Sequence, residues 1–454
     1  MAQGFCCVKE NFMLFTRKSL VKLIVPLIFE QLLNVTIGMV DTIMVASCGE
    51  AAVSGISLVD SINILLINIF SALASGGAVV TAQYIGKGDI KEGCESANQL
   101  VISVVAVSSV ISAVALIFRP LILRSIFGTI EADVMGNALT YFLLSAFSYP
   151  FLALYNAGAA LFRSMGNSKL SLYTSLVMNL INICGNALFI YGFGLGVLGA
   201  ALATLISRIC ASLFMFAMIV NPHNPVHVSH LFPLRINWGM VRNILRIGVP
   251  NGLENSMFQI GKILVSSLIA SFGTVSIAAN AVANNIASMQ VIPGSAIGLA
   301  LITVVGQCVG AREYKQAREY TLKLMLVDVA AVGLTSLIVC LNVSRIAGWY
   351  HLTSDTASLA ARLMIIHGVF APCIWTPSFS LPNALRAAND VKFTMIVSIL
   401  SMWFCRIMLS YVFGRYMGLE MIGVYMAMIC DWVVRGSCFI WRFWRGKWMQ
   451  KQYI

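Results

Sequence analysis

Charged residues are scarce in this sequence. Only 11% of the 454 residues are Asp, Glu, Lys or Arg, and 59% are apolar, whereas about a quarter of the residues of a soluble domain are charged. This balance excludes a soluble enzyme, a disordered chain and a nucleic-acid-binding protein. Twelve apolar segments, each long enough to span a bilayer, instead predict an all-α polytopic membrane protein.

Motifs for metal binding and catalysis are also missing. The 12 cysteines show no C-x-x-C spacing, so we interpret them as small apolar residues. His223, His227 and His230 lie close in sequence, but the surrounding prolines break any helix that could align them as metal ligands. No Ser-His-Asp or nucleotide-binding pattern is present. The sequence therefore predicts no enzyme and no cofactor.

Basic residues are distributed unequally between the two sides of the predicted bundle. The predicted helices lie near residues 18–46, 52–83, 93–118, 136–162, 170–192, 196–220, 242–271, 275–308, 318–343, 357–384, 392–414 and 420–444. Of the 30 Lys and Arg residues, 21 fall on the side of both termini, and five fall on the other side: Arg119, Arg124, Arg345, Arg362 and Arg415. The positive-inside rule then predicts an integral protein of the cell (inner or plasma) membrane with both termini in the cytoplasm.

An internal repeat divides the chain into halves. Residues 25–91 align with 249–315 without a gap at an offset of 224, and thirteen of the sixty-seven positions are identical, including Pro26 with Pro250 and Glu30 with Glu254. We therefore predict two pseudo-symmetric six-helix lobes, 1–220 and 242–454, joined by a cytoplasmic linker at 221–241. Six helices per repeat make the repeats parallel, and such repeats meet around a central cavity.

Polar residues inside apolar helices mark the candidate sites, because an ionisable group at membrane depth costs several kcal/mol unless it faces water or a partner. In the first helix Glu30, Asn34 and Asp41 return to one face at helical spacing. In the seventh helix, Asn251, Glu254, Asn255, Gln259, Lys262 and Ser266 form a second polar stripe.

Further polar residues lie in the second, eighth and twelfth helices. Asp60 in the second helix corresponds to Asn284 in the eighth, which shares a face with Asn280. Asp431 and Arg435 are four residues apart and of opposite charge, so a structural ion pair is predicted. Arg208 and Arg406 have no evident partner in the sequence.

Four short motifs resemble those of the multidrug and toxic compound extrusion family over nearly the whole chain. They are Val40-Asp41-Thr42, Gln83-Tyr84-Ile85-Gly86, Gln307-Cys308-Val309-Gly310 and Gly199-Ala200-Ala201-Leu202-Ala203-Thr204. The resemblance implies two lobes forming a V around a central cleft. It also implies antiport: export of organic, often cationic, compounds in exchange for Na⁺ or H⁺.

The resemblance also assigns residues to sites. The amino-lobe cation site of the family falls on Asp41, Asn182, Asn186 and Thr204, and Asn186 stands where many relatives carry an aspartate. Glu30 and Glu254 are further candidates for cation coupling. The candidates for the substrate cavity are Asn34, Asp60, Asn255, Gln259, Lys262, Asn280 and Asn284.

Two other transport functions remain open at this point. A flippase for a lipid-linked or amphipathic substrate would use related lobes but a more basic cavity. A channel would use the same polar stripes as a pore, although ionisable groups in both halves of a repeat suit alternating access better. A helical bundle of this kind can function as a monomer, with membrane lipids and a small organic molecule as its partners.

Overall fold

The computed structural model describes residues 13–128, 130–229, 235–350 and 352–450, and these residues form helices without any strand. His230 and the cysteine pair Cys6 and Cys7 lie outside the described residues. The spanning helices are α1 (Arg17–Ala46), α2 (Glu50–Lys87), α3 (Ile90–Ile117), α4 (Ala132–Ser164), α5 (Ser168–Gly192), α6 (Gly196–Val220), α7 (Trp238–Ala270), α8 (Thr274–Gln290 and Ile292–Gly310), α9 (Tyr314–Leu341), α10 (Ser354–Ala387), α11 (Val391–Tyr416) and α12 (Glu420–Trp444).

These segments confirm the predicted all-α architecture of twelve helices in two lobes. Within the described part of the chain, eleven helices are long and apolar enough to cross a membrane. The remaining one, α7, has 33 residues but carries the predicted polar stripe. The eighth helix is broken at Val291, just before Pro293, because proline cannot donate a main-chain hydrogen bond and its ring clashes with the preceding turn.

The helix bounds reproduce the sequence repeat. Residues 90–117 of α3 and 314–341 of α9 differ by 224 at both ends, and so do residues 196–220 of α6 and 420–444 of α12. Gly49 and Gly273 begin the second helix of each repeat with φ of 99° and 96°. Glycine adopts this left-handed backbone without steric cost, which explains its recurrence.

Two π-helical turns distinguish the carboxyl lobe from the amino lobe. The difference in residue number between equivalent positions of the two repeats is 222 for Pro150 and Pro372 but 223 for Arg163 and Arg386. A π turn at Ala371–Trp375 lies in the part of α10 where this difference changes. The difference in residue number then rises to 224 after a second π turn at Met402–Met408. A π turn accommodates one extra residue in a helix. The carboxyl repeat has therefore absorbed two insertions inside α10 and α11.

The lobes contact each other mainly through α2, which packs against α7 and the second half of α8. The closest approach is reciprocal: a Cβ atom at Gly86 would overlap the main chain of Gln307, and one at Gly310 would overlap that of Gln83. Gln83 Nε2 donates to Ala387 O at 2.7 Å, and Gln307 Nε2 donates to Ser164 O at 2.7 Å. These contacts close the bundle at the side where α1 begins and α12 ends, which we call the terminal side.

The connection between the lobes packs on the amino lobe in its described part. Val226 and Val228 are buried, and Ser229 N donates to Asn98 Oδ1 of α3 at 3.1 Å. His227 lies near Cys94, and His223 contacts Asn221. The first half of this segment is thus fixed to the amino lobe.

Candidate functional site

A pocket of about 260 Å³ lies inside the amino lobe between α1, α2, α4, α5 and α6. We call it the amino-lobe pocket. Its polar lining residues are Asp41, Thr42, Ser57, Asp60, Tyr141, Asn179, Asn182, Asn186, Thr204, Ser207 and Arg208. These side chains form a polar centre within the lobe.

Asp41 is at the centre of the hydrogen bonds in this pocket. Asn186 Nδ2 donates to Asp41 Oδ1 at 2.8 Å. The amide of Asn182 is oriented by its neighbours: its nitrogen donates to both oxygens of Asp41, at 2.7 and 3.2 Å, and its oxygen accepts from Thr204 at 3.3 Å. The four residues that the family resemblance assigned to one site are therefore direct neighbours.

Asn186 contributes an oxygen that has no donor. Its side chain is 2% exposed, and its Oδ1 atom has no hydrogen-bond partner among the described residues. A buried amide oxygen without a donor costs free energy. A cation or a proton donor beside Asp41 would satisfy it.

Asp60 and Arg208 add two charges to the amino-lobe pocket. Asp60 accepts from Asn63 Nδ2 at 3.1 Å, and Asn63 Oδ1 in turn accepts from the hydroxyl of Tyr149 at 2.8 Å. Arg208 donates to the hydroxyl of Ser148 at 2.6 Å and interacts electrostatically with Asp60 and Asp41. The pocket thus combines two carboxylates with one guanidinium, and Asp60 belongs to it rather than to the central cavity.

Three polar residues of this pocket are not repeated at the equivalent positions of the carboxyl lobe. At the offset of 224, Asp41 corresponds to Val265, Thr204 to Met428 and Arg208 to Trp432. Among the described residues, no group of three or more His, Cys, Asp and Glu side chains could hold a metal ion. The lobes share a fold but not this site.

A second cavity, of about 700 Å³, lies between the two lobes. We call it the central cavity. Asn34 of α1 and Asn255 of α7 line it, as predicted for the substrate cavity. Gln259, Lys262, Asn280 and Asn284 do not line either cavity. Lys262 is exposed and lies 5.2 Å from the centre of the Phe258 ring.

Two equivalent ion pairs form opposite walls of the central cavity. Arg163 donates to Glu30 at 3.3 Å, and Arg386 donates to Glu254 at 2.7 Å. Ser171 also donates to both oxygens of Glu30, at 2.9 Å each. The count of basic residues assigned both arginines to the loops of the terminal side. They lie instead within α4 and α10, where a carboxylate of the same lobe neutralises each one.

The carboxyl-lobe wall of the central cavity is aromatic and contains a third arginine. Trp375 stacks on Phe379 with 5.0 Å between ring centres. The guanidinium of Arg435 lies 4.9 Å from the Phe379 ring and 5.4 Å from the Phe258 ring. Arg435 also pairs with Asp431 at 3.5 Å, which confirms the predicted structural pair.

His367 is buried in the carboxyl lobe behind this wall. Its Nδ1 atom is 2.7 Å from Gln290 Oε1, and its ring packs edge-on against Trp432. It does not line either cavity. This environment is that of a hydrogen-bonded core histidine.

A family model described as MatE matches residues 26–188 and 250–412, one match in each repeat. The chain belongs to the MatE family. This is a family of membrane transporters rather than enzymes, in agreement with the absence of catalytic motifs in the sequence. The double match also reproduces the repeat that the sequence comparison found.

Curated relatives cover nearly the whole chain. The "Uncharacterized transporter YisQ" of Bacillus subtilis is 28% identical over 440 residues, covering 95% of each chain. The "Probable multidrug resistance protein NorM" of Thermotoga maritima is 24% identical over 445 residues, covering 96% of this chain and 94% of the relative.

Solved structures share the fold of this MatE protein. A structure of an outward-facing multidrug resistance transporter of the MATE family superposes with a TM-score of 0.89 at 20% identity, covering 96% of this chain and 97% of the other. A transporter of the MOP superfamily from Pyrococcus furiosus, described as having a binding pocket of reversed polarity, superposes with a TM-score of 0.88 at 20% identity over the same share of this chain.

Proposed function

We propose that this MatE protein is a cation-coupled antiporter that exports organic, drug-like compounds from the cell by alternating access. The amino-lobe pocket binds the coupling ion, and the central cavity binds the substrate. Relatives named as multidrug resistance proteins support export of several compounds rather than of one metabolite.

The observation that carries this proposal is the environment of Asp41. Its carboxyl group is surrounded by the amides of Asn182 and Asn186, and one buried amide oxygen of Asn186 has no donor. A carboxylate beside spare oxygen ligands, inside an apolar lobe, is suited to reversible binding of a small cation.

Na⁺ and H⁺ would use these groups differently. A proton needs the carboxyl group of Asp41 alone, whereas a sodium ion needs several oxygens at once and would recruit Asn186 Oδ1 and Thr204. The amide of Asn182 would have to rotate to present its oxygen to that ion. The second carboxylate, Asp60, offsets the charge that is lost because Asn186 is not an aspartate. The positive charge of Arg208 opposes the negative charge of Asp60 and weakens the attraction of the pocket for any cation.

The central cavity suits an aromatic substrate. Trp375, Phe379 and Phe258 supply flat apolar surface, and aromatic faces attract organic cations. The arginine pairs neutralise Glu30 and Glu254, so neither glutamate presents an isolated negative charge to a substrate. This makes Glu30 and Glu254 residues that shape the cavity, whereas Asp41 carries the coupling.

Closure of the bundle at the terminal side supports a transport cycle of the alternating-access type. The excess of basic residues on that side favours a cytoplasmic location for it and for both termini, in the cell membrane. The lobes then meet at the cytoplasmic ends of α2 and α8, and separation of these ends would open the central cavity to the cytoplasm. One chain supplies both lobes, so a monomer can complete this cycle.

Export from proteoliposomes tests the proposed function. The purified protein is reconstituted with a fluorescent organic cation inside, and Na⁺ and H⁺ gradients are imposed separately. Export driven by one gradient would establish antiport and identify the ion. Transfer of a labelled lipid-linked substrate without gradient dependence would support the flippase function instead, and ion flux without any substrate would support a channel.

A further inference from the structure

A groove on the terminal side lies outside both cavities described above. It has a volume of about 940 Å³ and runs between the beginnings of α7 and α11. We call it the basic groove. Trp238, Arg242 and Arg246 of α7 and Lys392 of α11 line it, together with the apolar side chains of Val241 and Leu245.

The positive charges of the basic groove are not compensated within the protein. Arg242 and Arg246 are four residues apart and therefore lie on one face of α7. Both arginines and Lys392 are exposed, and none of them forms an ion pair with an acidic side chain in the described part of the chain. Three cations around one concave surface create a positive potential that an anion would neutralise.

The same three cations recur in the amino lobe. Lys18 and Lys22 of α1 correspond to Arg242 and Arg246 at the offset of 224, and Lys169 of α5 corresponds to Lys392 at the offset of 223 that applies there. Ser168 donates to Leu23 O at 2.6 Å, so α5 begins against α1 at this level. The repeats have diverged at Asp41 and Thr204, yet both retain a basic triad where the first and fifth helices meet.

The groove lies at the depth of lipid headgroups. α7 begins at Trp238, whose side chain is 73% exposed, and tryptophan is enriched where a spanning helix leaves the bilayer. Farther along α7, about 16 Å beyond Trp238, the apolar side chain of Val249 is 51% exposed. The protein therefore presents basic side chains to the polar end of a molecule bound in the groove and apolar side chains to the remainder of that molecule.

We propose that the basic groove binds the phosphate group of an anionic phospholipid in the leaflet of the terminal side. Basic pockets between spanning helices near a membrane surface are suited to such headgroups. Arginine donates two parallel hydrogen bonds to phosphate, whereas lysine acts as a point charge. The groove with two arginines therefore binds this lipid more tightly than the triad Lys18, Lys22 and Lys169, which forms a weaker second site.

Native mass spectrometry of the full chain in a neutral detergent tests this proposal without any transport assay. The protein is titrated with phosphatidylglycerol and, separately, with phosphatidylcholine. We expect phosphatidylglycerol to bind in two steps and at least about tenfold more tightly than phosphatidylcholine. Equal affinity for the two lipids would overturn the proposal.

A pair of double variants separates this groove from general surface charge. Arg242→Gln with Arg246→Gln should weaken the tighter step by about tenfold or more, since each basic residue contributes about 1 kcal/mol. Lys91→Gln with Lys315→Gln removes the same charge from two exposed residues at the beginnings of α3 and α9 on the same side. This control should leave the tighter step unchanged. Equal weakening by both double variants would contradict a specific site.

A competition experiment distinguishes binding of a phospholipid from binding of a soluble phosphate compound. Glycerol phosphate carries the headgroup chemistry without acyl chains. We expect it not to displace phosphatidylglycerol even in large excess, because the lipid also contacts the apolar surface below Trp238. Displacement by glycerol phosphate would show a site for a soluble phosphate compound and overturn the lipid assignment. Unfolding temperatures of the variants, measured in the same detergent, verify that all of them are folded.

Discussion

Asp41 in α1 and Val265 in α7 occupy equivalent positions in the two repeats, 224 residues apart. Asp41 accepts a hydrogen bond from Asn186 at 2.8 Å, whereas Val265 is buried in an apolar cluster of the carboxyl lobe. The repeats have thus kept one backbone architecture while only the amino lobe retains this carboxylate. In the proposed cycle, this difference assigns ion binding to the amino lobe.

Asp60 should tune the affinity of the amino-lobe pocket for the coupling ion. In Asp60→Asn the side-chain oxygen can still accept from Asn63, but one negative charge is lost beside Asp41 and Arg208. We expect the ion concentration for half-maximal export to rise by about tenfold without loss of maximal export. Asp133→Asn, at the exposed beginning of α4, is the matched control. An ion dependence like that of the natural chain would exclude Asp60 from the ion site.

The Glu254–Arg386 pair should contribute to stability. Glu254→Gln leaves the guanidinium of Arg386, which is 12% exposed, without its ionised partner, and we expect a loss of about 2 kcal/mol in the free energy of unfolding. Thermal unfolding in detergent would show a lower transition temperature. The double variant Glu254→Gln with Arg386→Gln should recover part of this loss, since neither charge then remains unpaired. If the loss of stability in the double variant equalled the sum of the losses in the two single variants, Glu254 and Arg386 would not stabilise the protein as a pair.

Gly86 should be essential for closure of the terminal side. In Gly86→Ala the new methyl group overlaps the main chain of Gln307, so α2 and α8 must separate there. We expect faster hydrogen–deuterium exchange in the peptides that contain Gln83 and Gln307. Gly136→Ala in α4 adds the same methyl group where no atom lies within 4 Å and is the control. Unchanged exchange in Gly86→Ala would show that this contact does not hold the lobes together.

Trp375 should contribute to substrate binding but not to ion binding. Trp375→Ala removes the ring that stacks on Phe379 in the wall of the central cavity, and we expect about tenfold weaker binding of an aromatic substrate. The affinity for the coupling ion should not change, because the amino-lobe pocket lies in the other lobe. Trp403→Ala, at a side chain that is 40% exposed, is the control. Substrate affinity equal to that of the natural chain would show that the aromatic wall does not contribute to substrate binding.

Much of the fold could be predicted from the sequence, because membrane helices need long apolar segments and the repeat fixes their number and order. The break at Val291 and the π turns in α10 and α11 were not predicted, since both depend on local packing and on single-residue insertions. An alignment of Pro150 with Pro372 and of Arg163 with Arg386 would have revealed the first insertion.

The candidate sites were predicted less completely. The family resemblance assigned Asp41, Asn182, Asn186 and Thr204 to one site, but the pairing of Glu30 with Arg163 arises from contact between residues 133 positions apart. Helical periodicity shows which residues share a face, not which helix faces them. A signal did exist: the arginine recurs in both repeats just as the glutamate does.

In the proposed mechanism, Asp41 couples ion entry to substrate export. The most direct test of this coupling is the rate of gradient-driven export of a fluorescent organic cation by Asp41→Asn, compared with the natural chain at equal amounts of folded protein in proteoliposomes. Asparagine keeps the shape of the side chain but can neither carry a proton nor neutralise a sodium ion. We predict that export no longer responds to the imposed gradient while the substrate still binds. Gradient-driven export at the natural rate would show that Asp41 does not couple ion binding to export.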